Sequence, residues 1–293
     1  MNIKSSFLSL AQVGIAVAIG AGVAWAGSDG SVRAWGVPVF AVCAAVAFAI
    51  NWIAFVPAAI AKTEHYYDLT GGLTYISVTL VALLFSGDLD TRDVLVGAMV
   101  MVWALRLSTF LYMRISKAGK DGRFDEVKTR PLSFLMAWTV QALWVLLTAA
   151  AALAVITGSV HEPLGIIGIA GLAVWAAGMA IEVVSDRQKS AFKADPANEG
   201  TFIDTGLWAW SRHPNYFGEI VLWTGMALVA LPVLGGWSLV TLISPVFVAF
   251  LLIKVSGIPP LEKRADKKWG GDPDYEAYKR RTPVLVPRPP RPE

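Results

Sequence analysis

Long apolar segments are the feature that most constrains the fold of this chain. Several run for about 18 residues or more without a charged residue, which is enough for a helix to cross the hydrocarbon core of a bilayer. Their hydrophobic residues do not alternate with polar ones, so membrane-spanning β-strands are not expected. We predict an all-α, polytopic transmembrane helix bundle of seven to eight spans. The segments are 7–26, 35–57, 71–85, 94–112, 134–156, 164–184, 217–234 and 237–255.

The two ends of the chain need separate interpretation. Lys4 precedes the first segment and small residues lie near its end, a pattern that also suits a signal peptide. We favour an uncleaved helix, because the distribution of lysine and arginine described next agrees with a number of spans that includes this helix. Residues 1–282 are then a single membrane domain, with 1–34 as a possible extra N-terminal helix. The proline- and arginine-rich tail, 283–293, is predicted to be extended and disordered.

Lysine and arginine are unevenly distributed over the connections. If the N-terminus is cytoplasmic, the outer connections contain only Arg33 and Arg92, whereas the inner ones hold the basic loops 114–130 and 187–212 and the basic tail. This asymmetry predicts that both termini are cytoplasmic. Anionic membrane lipid accounts for the net charge of +3 without any nucleic-acid partner. The oligomeric state is not predicted.

A polar and aromatic stretch, 206–219, stands where the seventh apolar segment begins and reads GLWAWSRHPNYFGE. Arginine, histidine, asparagine and glutamate at the edge of a span cost free energy unless they bind or pair with something. The stretch therefore predicts a binding or catalytic site.

A second cluster, Glu64-His65-Tyr66-Tyr67-Asp68, precedes the third segment. A carboxylate and a phenol at this depth could polarise a carbonyl by donating a proton or a hydrogen bond. Interfacial anchoring by the tyrosines and helix capping by Asp68 are the alternative.

Further candidates for ligand binding lie on predicted helices. Arg106 and Arg114 are eight residues apart and project from nearly the same face, which suits phosphate, although snorkelling also explains Arg114. Glu182 and Asp186 are four apart, so they could accept from ribose hydroxyls or hold Arg187 and Lys193.

Two tyrosines in the tail are also candidates, since Tyr275 and Tyr278 share a helix face and could cap an adenine ring or plug the bundle. No metal site is predicted, since His65, His161 and His213 have no second ligand at helical spacing and Cys43 lies in an apolar run.

Together these motifs resemble the bacterial branch of the steroid 5-alpha-reductase family, over about residues 68–283. The short Arg-His-Pro-x-Tyr motif alone also occurs in membrane methyltransferases that modify isoprenylated cysteine or phospholipid. The residues that carry the resemblance are Trp103-x-x-Arg106-Leu107 with Arg114, Asp121, Arg123 and Phe124; Glu182-x-x-x-Asp186-x-Gln188 with Phe192-Lys193; Gly206-Leu207-Trp208; 211–219; and Gly-Asp-Pro-x-Tyr-x-x-Tyr ending at Tyr278.

The resemblance implies a reductase of the bacterial inner membrane that uses NADPH to saturate a carbon–carbon double bond conjugated to a ketone, as in a 3-oxo-4-ene steroid. By order along the chain, the carboxylate that polarises the carbonyl is Asp68, with Tyr67 beside it and Glu64 as the fallback. The tyrosine expected on the following helix falls near Trp103, so Tyr66 or Tyr67 would have to replace it.

The resemblance also implies a cofactor pocket that faces the cytoplasm, while the lipophilic substrate enters from the bilayer. Asp186, Asn215, Gly218 and Glu219 match positions that hold NADPH. The other residues predicted to bind it are Arg106, Arg114, Lys193, Arg212, His213, Tyr216, Tyr275 and Tyr278. An S-adenosylmethionine-dependent methyltransferase and a non-catalytic sterol- or lipid-binding protein remain the alternatives.

Overall fold

The computed structural model describes residues 3–118 and 124–290, with side chains for 6–113 and 124–290. The side chain of Arg114 and the residues Asp121 and Arg123 therefore lie outside the described part of the chain.

The prediction of an all-α polytopic membrane protein is confirmed. In the described residues, eight helical stretches are long and apolar enough to span a bilayer, and they match the eight predicted segments in order. The helices are α1 (Ile3–Gly27), α2 (Val39–Ala61), α3 (Tyr67–Phe85), α4 (Thr91–Ala118), α5 (Pro131–Ile156), α6 (Gly165–Ala194), α7 (Pro214–Ala230), α8 (Ile243–Phe250), α9 (Ile258–Trp269) and α10 (Pro273–Arg281).

The second span begins later than the sequence predicts, because a hairpin precedes it. Strands β1 (Arg33–Ala34) and β2 (Val37–Pro38) pair antiparallel. Trp35 and Gly36 between them both have positive φ, 51° and 79°, which is the backbone of a two-residue type I′ turn. Trp35 therefore lies in a turn and not in the predicted helix.

Contacts divide the chain into two compact units, where the sequence predicted one domain. Unit 1 comprises Met1–Ile166 and Val229–Ser244, and unit 2 comprises Ile167–Leu228 and Pro245–Glu293. We describe each unit by itself.

Unit 1 is built around α5. This helix contacts α1, α2, α3 and α4, and 89% of its most apolar window is buried. Its second half contains the alanine run 149–152, whose small side chains let neighbouring backbones approach closely. A helix that is apolar all round is thereby accommodated at the centre of the unit.

Unit 2 contains a glycine seam between α6 and α7. A Cβ atom at Gly218 would lie 2.7 Å from the carbonyl oxygen of Gly178, and one at Gly225 would lie 2.7 Å from that of Gly171. On each helix the two glycines are seven residues apart, so they line a single face. They are Gly171 and Gly178 on α6, and Gly218 and Gly225 on α7. The seam fixes the end of α6 against the start of α7.

The last predicted span is interrupted by several changes of helix type. A 3-10 stretch, Gly236–Leu242, leads into α8, and a π-helical turn, Leu251–Val255, follows it. Pro259 and Pro260 occupy the first turn of α9, where proline does not break helical hydrogen bonds. From Glu262 onward α9 is mostly polar, and it carries Glu262 and Asp266.

The tail has more order than the sequence predicts. The amide of Arg212 donates to the carbonyl oxygen of Pro283 at 2.9 Å, and the amide of Arg288 donates to that of Trp210 at 3.0 Å. The hydroxyl of Ser211 donates to the carbonyl oxygen of Leu285 at 2.8 Å. Residues 283–288 form no helix or strand, but they are hydrogen-bonded to the segment that leads into α7.

Candidate functional site

A carboxylate and an amide meet where α6 ends and α7 begins. Asp186 is buried and lies about two turns before the end of α6, and Asn215 lies in the first turn of α7. The Nδ2 of Asn215 donates to Oδ1 of Asp186 at 3.3 Å. The glycine seam brings these two residues together; their predicted role in cofactor binding stays a prediction.

Glu262 joins the two residues that precede α7. Its Oε2 accepts from Nη1 of Arg212 at 2.5 Å, and its Oε1 is 2.7 Å from Nε2 of His213. An ionised carboxylate can only accept, so Nε2 of His213 carries the proton. We call Arg212, His213 and Glu262 the Glu262 triad. Its formal charges cancel when the histidine is neutral.

His213 is held as a neutral imidazole. It is 4% exposed, and this burial lowers the pKa of the ring against the opposing effect of the bond to Glu262. Its ring stacks on Tyr216 with centroids 5.6 Å apart and an interplanar angle of 8°. Since Nε2 carries the proton, Nδ1 presents a lone pair.

Three buried polar atoms in this segment have no hydrogen-bond partner among the described residues. They are Nε of Arg212, Nδ1 of His213 and Oδ1 of Asn215, one donor and two acceptors. Buried polar groups are nearly always hydrogen-bonded in native proteins, so three such atoms within four consecutive residues indicate a place for a polar ligand. We call residues 212–215 with Asp186 and Glu262 the α7 polar site.

The loop before this site is fixed to α6. Oε1 of Gln188 accepts from the amide of Leu207 at 2.9 Å, and the indole Nε1 of Trp208 donates to the carbonyl oxygen of Ser185 at 3.0 Å. The Nζ of Lys189 lies 4.1 Å from the centroid of the Trp208 ring, a cation–π contact. Lys193, in the last turn of α6, is exposed.

The two tail tyrosines form internal contacts. Tyr278 donates to the carbonyl oxygen of Trp208 at 2.8 Å, and Tyr275 donates to Oδ1 of Asp266 at 3.1 Å. Both rings are buried and pack on Phe202. Burial is the main cause that raises the pKa of both hydroxyls. Of the two roles that the sequence left open, these contacts correspond to packing; binding of an adenine ring stays a prediction.

Two further predicted cofactor residues lie on α7. Gly218 is part of the glycine seam, and a Cβ there would also lie 2.7 Å from the amide nitrogen of Glu182, so packing alone requires glycine. Glu219, half-buried, lies one turn after Asn215.

The predicted catalytic residues lie in unit 1, around the start of α3. Glu64 is buried, and its Oε2 accepts from Nζ of Lys128 at 2.8 Å. This bond raises the pKa of Lys128. The hydroxyl of Tyr67 donates to the carbonyl oxygen of Ala137 at 2.9 Å. Asp68, half-buried, occupies the first turn of α3.

Gln141 on α5 reaches the same turn. Its Nε2 donates to the carbonyl oxygen of Tyr67 at 3.0 Å, while its Oε1 is buried without a hydrogen-bond partner in the described residues. A Cβ at Gly71 would meet this amide at 2.7 Å, so the glycine makes room for it. The sequence marks Gln141 only as a lone polar residue in an apolar helix.

Arg106 and Trp103 lie on α4, also in unit 1. Arg106 is half-buried, and Trp103 is buried with its ring edge-on to Tyr75 of α3 at 5.1 Å between centroids. Tyr66 is 58% exposed. The phenol of Tyr75 thus lies beside Trp103, the position where the resemblance implies a tyrosine, but Tyr75 comes from α3 and not from α4.

The model of a family described as "Protein of unknown function (DUF1295)" matches residues 54–282. This range contains every candidate site residue and leaves out α1, the hairpin and most of α2. Comparisons with curated proteins and with solved structures give no match.

Proposed function

We propose that this chain, which belongs to the DUF1295 family, is an NADPH-dependent membrane reductase that saturates the double bond of a lipophilic enone, such as a 3-oxo-4-ene steroid. The observation that supports this best is the α7 polar site, where three buried polar atoms lack a partner in the described residues. The proposal also rests on the sequence resemblance given above.

The donors and acceptors of the α7 polar site fit a nucleotide. Nε of Arg212 can donate to a phosphate oxygen, and Nδ1 of His213 can accept from a ribose hydroxyl or a carboxamide. Asp186 and Asn215 add further acceptors for hydroxyl groups. Positive charge for the phosphates would come from Lys189 and Lys193, because Glu262 neutralises Arg212.

When bound, NADPH supplies the hydride. The residues of unit 2 bind and orient the cofactor, and the ordered tail holds the Arg212 backbone in place. A site fixed in advance by seam, loop and tail loses little entropy on binding.

The proposal assigns polarisation of the substrate carbonyl to unit 1. The resemblance gives the acid role to Asp68, in the first turn of α3, in preference to Glu64 and Tyr67. A protonated carboxyl group donating to the carbonyl oxygen stabilises the enolate charge that develops in the transition state. Tyr75 is the phenol best placed to assist, because it packs against Trp103, which stands where the resemblance implies a tyrosine.

One observation favours a second candidate, an S-adenosylmethionine-dependent methyltransferase. The Glu262 triad carries no surplus positive charge, which suits a cofactor without phosphate groups, such as S-adenosylmethionine, better than one with several phosphates. Arg212 could then bind the carboxylate of the methionine moiety and Asp186 its ammonium group.

Binding and turnover of the purified full-length protein test these proposals. We expect saturable NADPH binding, and oxidation of NADPH in the presence of a 3-oxo-4-ene steroid with formation of the saturated ketone. Binding of S-adenosylmethionine without NADPH binding would establish the second candidate instead. Binding of the steroid alone, with neither cofactor, would refute both and support a lipid-binding protein.

We propose the bacterial inner membrane as the location, with both termini cytoplasmic. The lopsided distribution of lysine and arginine supports this orientation. A reporter protein that is active only in the cytoplasm should be active when fused to the C-terminus, and one that is active only in the periplasm should not. Activity of the periplasmic reporter would reverse the orientation.

A further inference from the structure

Three metal-ligating side chains meet in unit 1, away from the residues discussed so far. Asp90 and Asp93 lie at the start of α4, and His161 lies in the loop between α5 and α6. We propose that Asp90, Asp93 and His161 bind a divalent transition-metal ion, with Zn²⁺ as the best fit. The sequence predicted no metal site, because His161 has no second ligand at helical spacing.

The spacing of the ligand atoms is close to what such an ion requires. Nδ1 of His161 lies 3.7 Å from Oδ2 of Asp90 and 3.6 Å from Oδ2 of Asp93, and all three ligand atoms lie within 4.8 Å of one another. Metal–ligand bonds of about 2.0–2.2 Å at tetrahedral angles place ligand atoms roughly 3.3 Å apart. A small contraction would therefore complete three protein ligands and leave a fourth position for water.

Charge is the second reason for placing a cation here. Asp93 is 2% exposed, and burying one of two adjacent carboxylates is costly without a positive partner. Among the described residues, neither aspartate forms an ion pair with lysine or arginine. Arg92, between them in sequence, instead donates from Nη2 to the carbonyl oxygen of Pro163 at 2.8 Å. A divalent cation bound between the two carboxylates would balance their charge.

Helix capping explains only part of this arrangement. Oδ1 of Asp90 accepts from the amide of Asp93, and Oδ2 of Asp93 accepts from the amide of Asp90, each at 2.9 Å. This reciprocal pair caps α4. It does not require His161, and it leaves Oδ2 of Asp90 available as a ligand.

The loop that carries His161 is held in position. Arg92 is buried and fixes Pro163, two residues after the histidine. On the other side, the amide of Ser159 donates to the carbonyl oxygen of Gly30 at 2.9 Å. A braced histidine facing two carboxylates is an arrangement in which an ion would tie the loop before α6 to the start of α4.

The test uses the full-length protein without a polyhistidine tag, stripped of metal and titrated with Zn²⁺, and with Co²⁺ as a spectroscopic probe. Asp90→Asn and His161→Gln each remove one ligand, and asparagine still caps the helix. His65→Gln is the matched control, because His65 contacts Tyr66 and Tyr112 instead. We expect one Zn²⁺ per chain, bound tightly enough to raise the melting temperature.

Loss of a residue that merely orients a ligand typically weakens metal binding by about 10–100-fold, so each ligand variant should weaken it at least tenfold. His65→Gln should bind as the unmodified chain does, and Asp90→Asn should not lower the melting temperature in the absence of metal. The proposal would be overturned if both ligand variants bound Zn²⁺ as tightly as the unmodified chain does. No Zn²⁺ binding by the unmodified chain, or a preference for Mg²⁺ over Zn²⁺, would also overturn it.

Discussion

Replacing Glu262 by glutamine should disrupt the α7 polar site without changing its shape. The carboxylate accepts from Arg212 at 2.5 Å and from His213 at 2.7 Å. A glutamine has one acceptor oxygen, so its NH₂ group must face one of these two donors. If it faces His213, the imidazole has to move its proton to Nδ1, which turns the proposed ligand acceptor into a donor.

The size of the effect follows from burial. Hydrogen bonds to charged groups contribute about 1.5–3 kcal/mol, and removing one partner of a fully buried ion pair costs about 3–5 kcal/mol. The side chains of Arg212 and Glu262 are 13% and 23% exposed, so solvent moderates the loss. We expect Glu262→Gln to lower the free energy of unfolding by about 2–3 kcal/mol and to weaken binding of the cofactor at least tenfold, or about 1.4 kcal/mol.

Denaturation of the purified protein in mixed micelles and direct cofactor titration measure the two effects. Glu276→Gln on α10 is the matched control, because that carboxylate is 38% exposed and lies 3.8 Å from Lys279. An exposed pair of this kind contributes little, within about 0.5 kcal/mol. If Glu262→Gln behaved like Glu276→Gln in both measurements, the site would not depend on the triad, and our reasoning would be wrong.

Three further changes test other parts of the structure. Because burial lowers the pKa of His213 below its usual 6.5, unfolding should take up a proton there, so stability should fall as the pH drops below about 6.5; His213→Gln should flatten that part of the profile in pH-dependent denaturation. Gly218→Ala should cost about 1–3 kcal/mol by forcing α6 and α7 apart, whereas Gly22→Ala, where a Cβ meets open space inside α1, should not destabilise the protein in the same assay. Asp68→Asn should retain NADPH binding but lose steroid reduction, and unchanged turnover would remove Asp68 from the proposed role.

The sequence predicted the spans well because one property decides them. Hydropathy over about 20 residues measures the transfer free energy that places a helix in a membrane, and it requires no knowledge of neighbours. It failed where backbone geometry decides, as at Trp35, which is apolar but forms a type I′ turn before α2. It also began the third segment at Gly71, because Tyr67 and Asp68 are polar although α3 starts with them.

The sequence indicated candidate site residues where these residues are neighbours in the chain. The segment 212–215 contains three of the buried polar atoms that lack partners in the described residues, and it was visible as a polar stretch at the edge of an apolar segment. Glu262 and Gln141 come from helices far along the chain, so their contacts with His213 and Tyr67 could not be predicted without the fold. His161 was missed as a metal ligand for the same reason.

Glu262 also bears on which cofactor the α7 polar site would select. Because its charge cancels that of Arg212, a ligand gains little net Coulomb energy there, and its affinity must come from well-directed hydrogen bonds or from lysines outside the triad. Lys193 is exposed, so its attraction for phosphate is screened by salt. NADPH, with several phosphate charges, should therefore bind more weakly as the ionic strength rises, whereas S-adenosylmethionine, which has no phosphate groups, should respond less. The slope of affinity against salt thus reports where the charge that holds the ligand resides, independently of any turnover.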